Sequence, residues 1–193
     1  MSYFTKAELS QMGFAHVGDN VSLSKKASVY GAEFIYLGNN VRIDDFCILS
    51  AGVGGIHIGN YIHIACYSSL IGAARISLAD YCNISARVSI YSSSDDYSGE
   101  YLTNPLISET YSNVIKRSVS IGKHVIIGCG SVVLPGANIA EGCAIGALTL
   151  VNQSLAGWGV YAGQPAKCIK ARSQKLLILE EKFNQDSLLD KRS

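Results

Sequence analysis

Two sets of side chains in this 193-residue sequence could do chemistry at positions that the sequence itself relates to one another. His63 lies five places after Ile58, Asn83 five after Leu78 and Ile126 five after Ile121, so the three fall in one column if those aliphatics mark a repeat. An imidazole in such a column can serve as a general base. It can equally be a polar residue on the outer face of the repeat, and the spacing leaves both readings open. Asp95, Asp96 and Tyr97 follow one another in a polar stretch, where a carboxylate could collect a proton directly or through water. His16, His57 and His124 fall at corners or outside the column and read as surface residues. His57 and His63 share one turn while His124 is far along the chain, so three imidazoles do not converge as a catalytic metal would require, and no metal is expected.

The six cysteines, Cys47, Cys66, Cys82, Cys129, Cys143 and Cys168, include no C-x-x-C pair. Cys47, Cys82 and Cys143 each stand four places after an aliphatic (Ile43, Leu78, Ile139), a slot for small core residues. They read as small hydrophobes of a reducing compartment, and a cytoplasmic protein is expected. A formal charge of +1 argues against a nucleic-acid surface, for which a basic stripe is needed. Met1 to Asn20 lacks the basic and apolar regions of a signal peptide. The apolar run from Val125 to Ala140 is broken by Gly128, Gly130, Pro135 and Gly136, and it predicts soluble core, not membrane insertion.

What must position these residues is a six-residue period. Ile121, Ile127, Val133, Ile139, Ile145 and Val151 recur at sixes, with Val125, Ser131, Ala137, Cys143 and Thr149 four places after the first five. An α-helix would show apolar residues at three and four, and a simple strand would alternate. A period of six, with Gly122, Gly128 and Gly146 at the second place, predicts an all-β parallel β-helix: each hexad gives a short strand and a corner, and Gly or Asn takes the corner with positive φ. Each buried aliphatic contributes roughly 1.5–3 kcal/mol, so stability comes from stacking the rungs.

The starting aliphatics Val17, Leu37, Ile58 and Leu78 are 20, 21 and 20 residues apart, against 18 between Ile121 and Ile139. The early coils therefore carry small insertions near Ala32–Ile35, Gly54–His57 and Ala73–Ile76. Thr5 to Glu8 spells a capping box, predicting a short helix that covers the open end of the coil. From Ser92 to Ser118 the period is lost, and a polar loop of this length inside a compact repeat is usually functional. Leu176, Leu177, Leu179, Phe183 and Leu188 predict an amphipathic helix within Ser173–Leu189. The expected organisation is a capping helix in 1–16, a β-helix in 17–165 with an excursion loop at 92–118, and a helical extension in 166–193.

The hexads, the single loop and the exit sequence Ala162-Gly163-Gln164-Pro165-Ala166-Lys167 together resemble the hexapeptide-repeat acyltransferases of the galactoside, maltose and polysaccharide acetyltransferase branch. That resemblance implies a left-handed coil, a homotrimer, and acetyl-coenzyme A held in the cleft between adjacent subunits. It implies further that Ile126 stands beside the active site and that the backbone amides of Cys129 and Ala147 meet the pantetheine. Asn152 and Gln153 would follow on the next turn, and Pro165, Lys167 and Lys170 would lie near the adenine and its phosphates. A lysine there would neutralise phosphate charge, or be a solvated exit from the coil.

The departure is at the base. Relatives of the galactoside type place a His at the start of the loop, where this sequence has Asp95, followed by Asp96 and Tyr97. Either His63, lining the same groove with Asn83, fills the gap, or the acceptor is an amine that needs no strong base. A sugar amine with a pKa near ~8 is partly neutral at pH 7 and carries its own lone pair. The stretch Ser85 to Gly99, SARVSIYSSSDDYSG, resembles enzymes that acylate a nucleotide-linked 4-amino-4,6-dideoxyglucose during O-antigen synthesis. The resemblance thus implies a nucleotide-sugar acceptor, with O-acetylation of a saccharide hydroxyl as the alternative. In either case a backbone N–H of a turn near Asn83 or Ser85 is expected to meet the oxyanion.

Overall fold

The structure, a computed structural model, describes residues 2–190, with side chains to 187. It is a parallel β-solenoid of about seven turns with a short N-terminal helix and a longer C-terminal one. Three sheets form its sides. The first contains His16–Val17, Ile35–Leu37, Ile56–Ile58, Ile76–Leu78, Val119–Ile121 and Asn138–Ile139. The second contains Ser22–Leu23, Val41–Ile43, Ile62–Ile64, Asn83–Ile84, Ile126–Ile127, Ala144–Ile145 and Gly159–Ala162. The third runs through Ser28–Tyr30, Ile48–Ala51, Ser69–Gly72, Ser89–Tyr91, Val132–Val133 and Leu150–Val151.

The hexad register is that of the coil. Leu37 pairs with Ile58, Ile58 with Leu78, Leu78 with Ile121 and Ile121 with Ile139, and all five are buried. The slot four places on is buried as well, at Cys47, Cys82 and Cys143. Burial pushes the Cys47 thiol up to about 11 and that of Cys82 to about 12, so both are neutral packing groups. The extra residues of the early coils sit at the corner between third and first sheets, as a 3₁₀ turn at Ala32–Phe34 and bends before Ile56 and Ile76.

The corners depart from expectation. Positive φ falls on Asn20 and Asn40, but also on Phe46, Tyr61, Tyr67, Tyr81, Arg87, His124 and Leu148. The second-place glycines are there for another reason: a Cβ on Gly122 would stand 2.6 Å from the backbone N of Glu141, and one on Gly128 2.5 Å from that of Ala147. Glycine is required where adjacent coils touch. The bulky corner residues instead stack along the axis, and those contacts offset the cost of the left-handed conformation.

Helix α1, Lys6–Gln11, has the predicted capping box: Thr5 and Glu8 bond reciprocally, and Leu9 is buried over the first coil. The excursion loop leaves and returns at one place, where Ser93–Ser94 pairs antiparallel with Ile115–Lys116 and Arg117 N–H donates to Ser92 O. The extension in 166–193 is not helical throughout. Lys167–Ala171 first forms a strand antiparallel to Gly159–Ala162, covering the backbone groups that the last coil would leave open. Helix α2, Leu176–Asp190, follows. Residues 191–193 and the Leu188 side chain lie outside the described residues.

Candidate active site

The corner between the second and third sheets forms a ridge along the coil, and most of the candidate residues lie on it or beside it. Its successive turns carry Asp44-Asp45-Phe46, Ala65-Cys66-Tyr67, Ser85-Ala86-Arg87, Gly128-Cys129-Gly130 and Gly146-Ala147-Leu148. Hydrogen bonds between coils use the first residue of each turn and, from Tyr67 onward, the third: Ser85 N–H donates to Ile127 O, and Arg87 N–H to Cys66 O. Among the described residues no acceptor meets the N–H of Ala86, Cys129 or Ala147. The ridge is thus a row of open donors at Cys129 and Ala147, the amides the resemblance assigns to the pantetheine, continued one coil earlier at Ala86. In the region expected to meet an oxyanion, the N–H groups of Asn83 and Ser85 themselves are both committed, at 3.0 and 2.9 Å to the next coil. Ala86 is the open donor of that turn.

On the N-terminal half of the ridge, Phe46 stacks on Tyr67 with centroids 5.0 Å apart, and Arg87 lies 5.7 Å over the Tyr67 ring. This stack was missed from the sequence, where no aromatic period is visible without the corner positions.

The column on the second sheet is real. His63 pairs with Asn83, and Asn83 with Ile126, in parallel register. The five-place rule applied one coil earlier lands on Arg42, which pairs with His63. His63 Nε2 is 2.9 Å from Asp44 Oδ2, and Arg42 Nε donates to Asp44 Oδ1 at 2.8 Å. The Asp44 side chain is only 7% exposed and that of His63 is 40% exposed. Burial alone would raise the Asp44 carboxyl, but the bonds from His63 and Arg42 outweigh it and hold the group below the usual carboxylate value.

Asp95 is exposed just beyond the base of the loop, Asp96 is half-buried, and Tyr97 is 92% exposed. Asp96 accepts from the Ser98 N–H and hydroxyl and from Asn113 Nδ2, and these bonds lower its pKa. It therefore acts as a brace of the loop. At the other end, one extra residue in the Lys167–Ala171 strand sets Lys167 opposite Ala162 and Lys170 opposite Val160. The bulge brings both exposed lysines to the outer side of the second sheet. Asn152 and Pro165 are exposed, and Gln153 Nε2 donates to Ala166 O, fixing the exit segment.

His124 is not a surface residue. It is buried, stacked 5.1 Å from Tyr81, with Nε2 2.8 Å from Glu180 of α2, and Lys123 Nζ meets the other Glu180 oxygen at 2.5 Å. The sequence could not show this because Glu180 is 56 residues away. Between α2 and the second sheet lies a cavity of about 430 Å³, reached by Asn83, Ile126, Leu176 and Phe183. His57 stacks on Tyr36 at 4.4 Å on the first sheet, away from the ridge. Among the described residues no group of three or more His, Cys, Asp or Glu could hold a metal.

No family model matches the chain. A dTDP-4-amino-4,6-dideoxy-D-glucose acyltransferase of Escherichia coli is 54% identical over 190 residues, spanning 98% of this chain and 99% of the relative. AntD, an N-acyltransferase from Bacillus cereus solved with dTDP and 3-hydroxybutyryl-CoA, superposes with a TM-score of 0.92 at 45% identity, over 96% of this chain and 98% of its own. AntD variants replaced at one serine or one aspartate have also been solved, and those two residues are ten apart, as Ser85 and Asp95 are here. A lipopolysaccharide biosynthesis O-acetyl transferase of Escherichia coli is 25% identical over 171 residues, 88% of this chain and 78% of that protein.

Proposed function

Since this chain belongs to the dTDP-4-amino-4,6-dideoxyglucose acyltransferases, a branch of the hexapeptide-repeat enzymes, we propose that it transfers the acyl group of acetyl-coenzyme A to the amine of a dTDP-linked 4-amino-4,6-dideoxy sugar in surface polysaccharide synthesis. The observation that carries this reading is 54% identity running through 98% of the chain, loop included. The enzyme works as a cytoplasmic homotrimer, because a single coil offers only one wall of the coenzyme groove.

The ridge supplies the rest of the argument. Cys129 and Ala147 hold the pantetheine by their open N–H groups, with Ile126 beside the thioester. Asn152, Gln153 and Pro165 border the adenosine end, and Lys167 and Lys170 share one side of the exit strand to meet phosphate. The acceptor approaches from the opposite, N-terminal half of the ridge, so that its amine reaches the thioester at Ser85 and Asn83. Asp95 stands at the serine-to-aspartate spacing replaced in AntD, and Asp96 and Tyr97 shape the loop around the sugar.

The neutral amine attacks the thioester carbonyl, forming a C–N bond and an oxyanion that the Ala86 N–H receives. The ammonium then gives up a proton to Asp95 or to His63. The C–S bond breaks, the thiolate leaves, and it takes a proton back to become coenzyme A. A panel of acceptors with acetyl-coenzyme A tests the assignment. dTDP-4-amino-4,6-dideoxyglucose should turn over, and free galactosides and maltose should not. Robust turnover of a plain hydroxyl with no activity on any amino sugar nucleotide would overturn it.

A further inference from the structure

Asp44 has no part in the scheme above, yet it is the most enclosed charged group near the column. It lies one place past Ile43 at the start of a ridge turn, its backbone N–H is bonded to Ile64 O, and both carboxylate oxygens are occupied. The two partners differ in kind. Arg42 Nε can only donate, so Oδ1 must accept. His63 Nε2 then faces an ionised oxygen, and it must carry the proton to bond it. The other ring nitrogen, Nδ1, is left as an acceptor on an imidazole that is 40% exposed. Asn83, on the next coil, is uncharged, and the Cys47 thiol beneath Asp44 is neutral, so Asp44 and Arg42 are the charges that face this ring.

We infer that Asp44 is a positioning residue, which, itself held by Arg42, locks His63 as the Nε2–H tautomer and presents Nδ1 to take the proton released by the attacking amine. This rests on acyl transfer to an amine as read above. The proton passes from the ammonium of the tetrahedral adduct to Nδ1, and the imidazolium returns it to the departing thiolate as the C–S bond breaks, so His63 ends each cycle as it began. The Asp44 carboxylate takes no proton itself but steadies the transient imidazolium.

The arrangement makes an unusual demand on the isosteric variant. In Asp44→Asn the amide oxygen must stay toward Arg42, which needs an acceptor, so the NH₂ group is turned to His63 Nε2. That nitrogen can then no longer carry a proton, and Nδ1–H becomes the tautomer. A substitution that preserves shape therefore removes the acceptor. Adding Arg42→Ala frees the amide to turn over and should restore part of the lost rate.

The test combines ¹⁵N-imidazole correlation spectra of the full chain with steady-state kinetics, the His63 signals being assigned by their loss in His63→Ala. The wild type should show Nε2–H and D44N should show Nδ1–H. Using whichever acceptor of the panel the wild type turns over, D44N should lower kcat about tenfold to a thousandfold with both KM values within about twofold. It should fall as far as His63→Ala, and the D44N/H63A double variant should fall no further. Unchanged kcat or an unchanged tautomer in D44N overturns the inference, as does a double variant far below His63→Ala. A raised acceptor KM with intact kcat also overturns it, since His63 would then only hold substrate. If the amino sugar nucleotide is not an acceptor at all, the functional reading fails instead, and the spectra still decide the tautomer.

Discussion

At the scale of single residues, the proposed roles separate by which kinetic constant each controls. Lys170→Ala, and less strongly Lys167→Ala, should raise KM for acetyl-coenzyme A several-fold with kcat nearly unchanged, because a contact to a remote phosphate is the same in ground and transition states. Initial rates across a coenzyme series check this, and a fall in kcat at constant KM would remove the lysines from the phosphate site. Asp95→Asn should cost about tenfold to a thousandfold in kcat. An amine acceptor makes that loss pH-dependent: kcat/KM rises through the amine's own pKa, near ~8, and higher pH partly rescues the variant because more acceptor is already neutral. A hydroxyl acceptor gives no such rescue at any accessible pH. The Asp95 profile therefore distinguishes the two acceptors by a route independent of the substrate panel.

At the scale of elements, the aliphatic ladders and α2 are held by different forces. Ile127 is fully buried between Ile84 and Ile145, so Ile127→Asp sets an unpaired carboxylate in a dry prism and should lower stability by several kcal/mol, on the order of 4 or more, read as a collapse of the thermal midpoint. Of the stripe read from the leucines of α2, Leu176 and Leu177 are half-buried, while Leu179 borders the cavity and is largely exposed. Phe183 packs edge-on against Tyr61, and Glu180, 13% exposed, meets Lys123 and His124. Burial would raise the Glu180 carboxyl, but the bonds from Lys123 and His124 outweigh it and depress it. A carboxylate depressed in the folded state contributes stability above its unfolded pKa, near ~4.3, and loses it as pH falls through the lower folded value. Amide exchange in α2 should accordingly quicken below about pH 4. Glu180→Gln should abolish that dependence while exchange in the coil stays slow.

At the scale of the whole molecule, one coil presents a ridge without an opposing wall. Its exposed Phe46, Tyr67 and Leu148, with the open amides of Ala86, Cys129 and Ala147, are suited to a groove closed by a second copy. Sedimentation should find a trimer, and dilution below its dissociation range should weaken coenzyme binding along with activity. A stable monomer that binds acetyl-coenzyme A tightly would refute the shared groove.

The repeat was open to reading in the sequence because a solenoid is nearly one-dimensional: each rung meets only its neighbours, so a period of six and a coil of 18 to 21 residues already state which side chains stack. Hence the column of His63, Asn83 and Ile126, the core cysteines, the capping box and the loop all followed from counting. What counting could not reach were contacts that cross from one column to another or return from far along the chain. Asp44 reaches His63 diagonally from a corner to the sheet, Glu180 comes back over 56 residues to bury His124, and the bulge that aligns Lys167 with Lys170 depends on pairing with the last coil. Nor does a sequence period reveal which turn amides remain open, since that depends on where each carbonyl of the next coil lies. Periodicity specifies neighbours along an axis, while side-chain reach and backbone hydrogen bonding, resolved only in three dimensions, decide which of those neighbours can do chemistry.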